Sequence, residues 1–370
     1  TEGLPVASAS VARIDADGFL WVATHDGLAR FDGREFTIYD AANSPVMSGN
    51  RVNSLHADAA RRLYAVSSRG ELLGVHSSGI TRIRPDEADP DSPIHYLDPS
   101  TLCLTLNQGW YCPDGRGGFS LRRSFAQSSQ VALAVTTAAG ALWQVVPRQG
   151  VYLEGADGRR LVYADPALVQ TPSLGETPIA VVTEAGDLLL ATGLGLLRVT
   201  AEGGGYLKTA AGERVMAQQL RAEPDGRIYV GGERGLYRLD ADVLIPVDAT
   251  PPSQAVSRSW RAPDAALWHS NDGKLYREGI LQLQSRGQIR DLHFGAAGSV
   301  WISTLRDGLY ALHQARVDLL DVDSAMVNDN TYSVSRASDG SMWLGSLGGG
   351  LQRIDRDGKV RNYGLEAGLP

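Results

Sequence analysis

One motif returns in phase along almost the whole chain, and it constrains the fold more than any other feature. Its clearest copy lies between Asp15 and Asp32. There an Asp-Gly turn at 17–18 is followed by Leu20-Trp21, then Val22, Ala23 and Thr24, then Gly27-Leu28 and Arg30. Good copies recur at Asp225–Arg238, Val300–Tyr310 and Met342–Arg353. Weaker copies centre on Tyr64, Trp110, Trp143, Leu189 and Trp268. The marker residue therefore falls at 21, 64, 110, 143, 189, 229, 268, 301 and 343, a mean spacing of about 40 residues.

Each unit reads as four short strands. In the first unit they are Val11–Ile14, Leu20–Ala23, Leu28–Phe31 and Phe36–Tyr39, with the Asp-Gly pair suited to a tight hairpin. No stretch between them has helical periodicity; the Ala-rich run 131–142 is β-branched and broken by glycine. A four-stranded unit of this length is a propeller blade, which buries both faces only by packing against its neighbours. The expectation is an all-β fold: a single β-propeller over residues 1–370 with nine repeat units. Seven or eight blades result if a degenerate unit (102–121 or 259–277) merges with a neighbour; a chain cut from a longer array of two rings is the other alternative. The in-phase Trp21, Trp143, Trp268, Trp301 and Trp343 then belong to the core between blades, and the repeat glycines to turns.

Composition narrows the function. Lys+Arg total 35 against 42 Asp+Glu, a net charge of −7, which argues against a nucleic-acid partner. No window approaches the roughly 18 uninterrupted apolar residues of a spanning helix, so any membrane attachment is expected outside this chain. Thr1 begins without a charged-then-apolar leader, so an export signal is expected to have been removed or to lie elsewhere. Lysine occurs only at 208, 274 and 359, leaving 32 arginines; with the frequent alanine this resembles a high-GC bacterial composition.

Catalytic chemistry is thinly represented. The histidines at 25, 56, 76, 95, 269, 293 and 313 show no metal-binding spacing, and Gly345-Ser346-Leu347-Gly348 lacks the spacing of a nucleophile elbow. Asp15 with Asp17 and Asp89 with Asp91 fit turn chemistry better than acid–base catalysis. Asp321 and Asp323 lack the oxygen-rich loop of a calcium site. No catalytic residue, metal or cofactor is expected.

Two cysteines exclude a disulfide scaffold and a four-cysteine zinc site. A two-residue turn at Asn107-Gln108 would set Cys103 directly across from Cys112, where a cross-strand disulfide is geometrically feasible; buried free thiols or a shifted register are the alternatives. Ligand recognition has to come from loops. Those between the second and third strands share one face and carry His25 and Asp26, Arg69, Arg116, Arg148, Glu233 and Arg234, Asn271, and Arg306 and Asp307. Five arginines around one mouth suit an anionic small molecule or glycan. The alternative is ordinary solvated arginines paired with neighbouring acids. The Pro-rich acidic insertion 85–93 is expected in solvent or at a partner contact.

The string Leu-Trp-Val-Ala-Thr-x-x-Gly-Leu-x-Arg-Phe-Asp at 20–32 resembles the two-component-regulator propeller repeat, and Gly3-Leu4-Pro5 and Gly368-Leu369-Pro370 resemble the tripeptide that precedes such repeats. The resemblance extends in degenerate form over nearly the whole chain. It implies a periplasmic, non-enzymatic sensor domain of a bacterial inner-membrane receptor, feeding a diguanylate cyclase or histidine kinase and dimerising through the full-length receptor. A propeller polysaccharide lyase or hydrolase, or a scaffold that only binds protein, is the rival reading. The absence of a Trp-Asp pair argues against a WD-repeat protein.

Overall fold

The computed structural model describes residues 4, 6–89, 92–126, 130–168, 179–223, 225–232, 234–247, 258–271, 273–295, 298–312, 331–337, 339–346, 349–355 and 359–368. Among them the chain forms strands joined by turns and bends, with a three-residue 3₁₀ turn at Leu365–Ala367. The strands assemble, in chain order, into nine antiparallel sheets of up-and-down connectivity. In the first, Ala9–Ile14, Leu20–Thr24, Gly27–Phe31 and Phe36–Tyr39 pair successively, as the repeat predicts. The sixth sheet gains a parallel edge strand at Lys208–Thr209, and the eighth has three strands among the described residues. The nine repeat units thus become nine sheets.

These sheets fall into two units, Thr1–His313 with eight sheets and Gln314–Pro370 with the ninth. In the first unit most sheets pack on the next through apolar side chains, and Gln219 of the sixth exchanges hydrogen bonds with the Ser259 backbone of the seventh. Trp21 lies with Leu55 and Leu63 of the second sheet, Tyr64 with Phe119 of the third, and Trp143 with Leu188 and Leu197 of the fifth. The ring then closes on itself. Trp301 and Leu309 of the eighth sheet pack against Ala12, Leu20 and Val22 of the first. Arg13 pairs with Asp291, Gly308 N–H donates to the Ala7 carbonyl (3.0 Å), and Ser8 bridges Leu305. Of the ring sizes weighed from the sequence, that of the first unit is therefore eight. In the second unit Trp343 stacks on Tyr363 (5.5 Å between centroids) with the Arg353 guanidinium over its ring.

One repeat differs in phase from the sequence expectation. Trp110 stands on the third strand of the third sheet (Gly109–Pro113), not the second. The second strand of that sheet, Leu104–Leu106, precedes the turn at Asn107-Gln108. Counting back six residues from Gly109, as from Gly27 to Trp21, assigns the marker position to Cys103. It lies 39 residues after Tyr64 and 40 before Trp143, in place of the uneven intervals of 46 and 33 on either side of Trp110. The disulfide explains the missing aromatic: the Cys103 sulfur is joined to that of Cys112, with Cα atoms 4.2 Å apart, across the hairpin that pairs Leu104 with Tyr111.

Candidate ligand-binding mouth

The turns between second and third strands are built the same way several times. A threonine ends the second strand and turns its hydroxyl back into the loop. Thr24 Oγ1 donates to the Gly27 carbonyl (2.9 Å) and accepts from the Asp26 N–H (3.1 Å). Thr192 does the same with Gly195 and Leu194, and Thr304 Oγ1 donates to the Gly308 carbonyl. The glycine that opens the third strand is required by backbone geometry. Gly27 has φ +127°, and a Cβ there would lie 2.3 Å from the Tyr39 carbonyl oxygen. This recurrent scaffold fixes where the two intervening side chains emerge.

His25, Asp26, Arg69, Arg148, Arg234, Asn271, Arg306 and Asp307 all occupy such turns or their edges. Glu233, like Asp272 beside Asn271, lies outside the described residues. Arg116 does not belong with them. It sits between Gly109–Pro113 and Phe119–Ser124, the third and fourth strands of its sheet, and so emerges on the opposite face with the Asp-Gly turns. The out-of-phase reading of Trp110 caused that error.

Their roles divide. Asp307 is structural: it accepts from the Ser285 hydroxyl and the Arg286 N–H (both 2.9 Å) and from the Tyr310 hydroxyl, and these bonds hold its carboxyl below the ordinary range. Arg234 pairs with Glu213 at 3.0 Å, both well exposed, so this bridge contributes little to stability. Asn271 is buried. Arg148 and Arg306 are exposed and hold left-handed backbones, φ +62° and +76°, a conformation a non-glycine residue adopts at some cost. Half-buried His25 is kept neutral at lower pH by burial and by the nearby Arg51 and Arg290 guanidiniums, with Asp26 opposing.

Arg51 and Arg290 were not among the residues singled out from the sequence. They belong to a second device, on the innermost strands. The first strands of sheets one, two, six, eight and nine each carry a β-bulge at one register, opposite the end of the second strand. In the first unit the extra residues are Ser10, Asn53, Gln218 and Arg290. A bulge re-aims a side chain and is common beside functional sites. Three of these residues lie on consecutive sheets around the closing seam: eight, one and two. There Arg51 Nε donates to Asn53 Oδ1 (3.2 Å), Arg290 Nη1 reaches Gln288 Oε1 (3.4 Å), and the buried Arg258 donates to the Arg290 carbonyl. The sequence carried a signal: a small or apolar residue followed by a polar one in Ala9-Ser10, Val52-Asn53, Ala217-Gln218 and Ile289-Arg290. Among the described residues no group of acid, histidine or cysteine side chains is placed to hold a metal ion.

No family model matches the chain, and no curated protein matches it. Solved structures do. The “extracellular domain of the putative one component system BT4673 from B. thetaiotaomicron” is 16% identical over 95% of this chain, with a TM-score of 0.34. This chain spans only 54% of that one. A streptogramin B lyase is 14% identical over 83% of this chain and 94% of its own, with a TM-score of 0.45. The computationally designed Ika8 protein is 12% identical over 84% of this chain and 98% of its own, with a TM-score of 0.52. At these identities likeness extends to the fold alone; the closed ring of mostly four-stranded sheets makes this chain an all-β propeller protein.

Proposed function

We propose that the chain is a non-enzymatic, extracytoplasmic sensing domain of a bacterial membrane receptor, with a ligand read at the mouth that bears the second-to-third-strand turns. The observation that carries this reading is the convergence there of two independent devices. Variable polar turns (His25, Arg148, Arg306) share one face of the ring with extruded first-strand residues (Arg290, Ser10, Asn53) of adjoining sheets. Residues from several sheets meet only near the axis of a ring, which favours recognition there over the convex rim. Arg51 and Arg290 beside a neutral His25 suit a carboxylate on a small molecule or glycan. The Cys103–Cys112 bridge is compatible with an oxidising compartment such as the periplasm. The repeat resemblance supports a signalling output, a diguanylate cyclase or histidine kinase beyond a membrane segment, and a receptor that dimerises outside this domain.

The test is calorimetric titration of the chain with galacturonate oligomers and neutral galactose oligomers. Preferential binding of the anionic series is expected, weakened by about 1.5–3 kcal/mol in each of Arg51→Ala and Arg290→Ala and unchanged in Arg116→Ala. Equal affinity in all three variants removes the mouth from consideration. Accumulation of cleavage products would instead establish a lyase or hydrolase.

A further inference from the structure

On the other face of the ring the fifth sheet departs from the repeat, as the third does at Cys103. In the first unit the marker side chain points at the following sheet. Trp143 shows what it does there: its ring fills the gap to the fifth sheet and its Nε1–H donates to the Gly186 carbonyl (2.9 Å), in the turn between that sheet's first two strands. The fifth sheet has Leu189 at this position, facing the sixth sheet among Leu220, Ile228 and Val230. Both cross-strand neighbours of Leu189, Val181 and Arg198, line an open cavity of about 320 Å³ between the fifth and sixth sheets. Ile228, Leu239 and Gly226 supply the facing wall.

The cavity keeps the fittings of the missing ring. Gly226 occupies the same place in its turn as Gly186. Their φ values are +81° and +89°, and each N–H donates to the carbonyl three residues back, Glu223 (3.0 Å) and Thr183 (2.9 Å). Arg198 is the repeat's arginine, which in the ninth sheet lies over the Trp343 ring as Arg353. Here two acids, Asp187 (2.6 Å) and Asp242, hold its guanidinium, and at 189 leucine replaces the ring it would cover. The Glu184 carboxylate stands at the rim, 3.4 Å from where a Cβ on residue 226 would be.

We propose that this cavity binds a free, indole-sized aromatic heterocycle bearing a ring N–H, neutral or cationic in its side chain, in the slot a tryptophan at 189 would fill. Val181, Ile228 and Leu239 sandwich the ring, the Arg198 guanidinium covers its face, and the Gly226 carbonyl is the acceptor for its N–H. The rim carboxylate Glu184 disfavours an anionic substituent.

The experiment titrates the whole chain by fluorine NMR with 5-fluoroindole, 5-fluorotryptamine and 5-fluoroindole-3-acetate, and with N-acetyl-5-fluorotryptophanamide to represent a peptide side chain. Expected are saturable binding of the first two, and weaker binding of the acetate and the peptide form. Leu189→Trp should fill the slot, raise the unfolding temperature and weaken binding by roughly tenfold or more. If Leu189→Trp does not fold, Ala185→Phe at the exposed rim replaces it, with the same loss of binding expected. No saturable binding to the wild type, unchanged binding in a folded blocking variant, or preference for the acetate overturns the proposal. None of these outcomes bears on the mouth, whose arginines lie on the opposite face.

Discussion

Acidification should destabilise this protein through two histidines on the innermost strands, His56 buried and His293 half-buried. Burial, with the positive charge of Arg13 nearby, holds His56 down at about 3. Burial, Arg13 and Arg61 hold His293 at about 4, Asp291 opposing. In the unfolded chain both should titrate near 6.5. Below that pH the unfolded state binds more protons than the folded one, so stability rises with pH. The contribution is complete above about pH 7, falls as the pH drops through 6.5, and stops falling only once the folded values near 4 and 3 are passed. At pH 5 each histidine is still neutral when folded and charged when unfolded, a loss of about 2 kcal/mol apiece and about 4 kcal/mol together. Urea unfolding followed by tryptophan fluorescence at pH 8 and pH 5 measures it. His56→Gln combined with His293→Gln shifts absolute stability, but the comparison uses only the change between the two pH values. The wild type should lose about 4 kcal/mol more than the double variant over that interval. Equal losses in the two proteins would show that neither histidine is held neutral by the ring interior.

Two further outcomes test the scaffold. Gly150→Ala should cost about 2–5 kcal/mol in chemical unfolding, because φ is +139° there and a Cβ would meet the Tyr163 carbonyl oxygen at 2.0 Å; a stability within error of wild type would refute the turn geometry. Reducing Cys103–Cys112, which closes a loop of nine residues' separation, should remove about 3 kcal/mol, and the denatured, unreduced protein should titrate no free thiol.

The fold was legible because the repeat encodes it twice, in aromatic phase and in turn chemistry. Gly27-Leu28 after Thr24 specifies a turn that only glycine can close, and Trp21 specifies the face that meets the next sheet. Legibility failed where a side chain performs the marker's task by other chemistry. Cys103 fixes its hairpin covalently, so no aromatic is needed, and the nearest tryptophan, Trp110, was mistaken for the marker. That slip carried Arg116 to the wrong face. Ring size was hidden for a different reason. Closure of the eighth sheet on the first depends on side chains such as Ala12 and Trp301 fitting across the seam, which no local pattern records. The mouth was half legible: the turns announced themselves, whereas the bulges that extrude Asn53 and Arg290 are register shifts, visible only once strands are paired.

The closing seam also sets an order of events during synthesis. Every other sheet of the first unit finds its partner within the next forty residues or so, but Arg13 and Asp291 are separated by 278 residues. Bringing such distant segments together costs about 5 kcal/mol of chain entropy, so the seam forms last. A ribosome adding about 5–20 residues per second needs roughly 15–60 s to go from the first sheet to the eighth. Throughout that interval the outward face of the first sheet, with Ala12, Leu20, Val22 and Ala29, waits without its cover. A nascent open ring therefore presents a sticky flank of known composition.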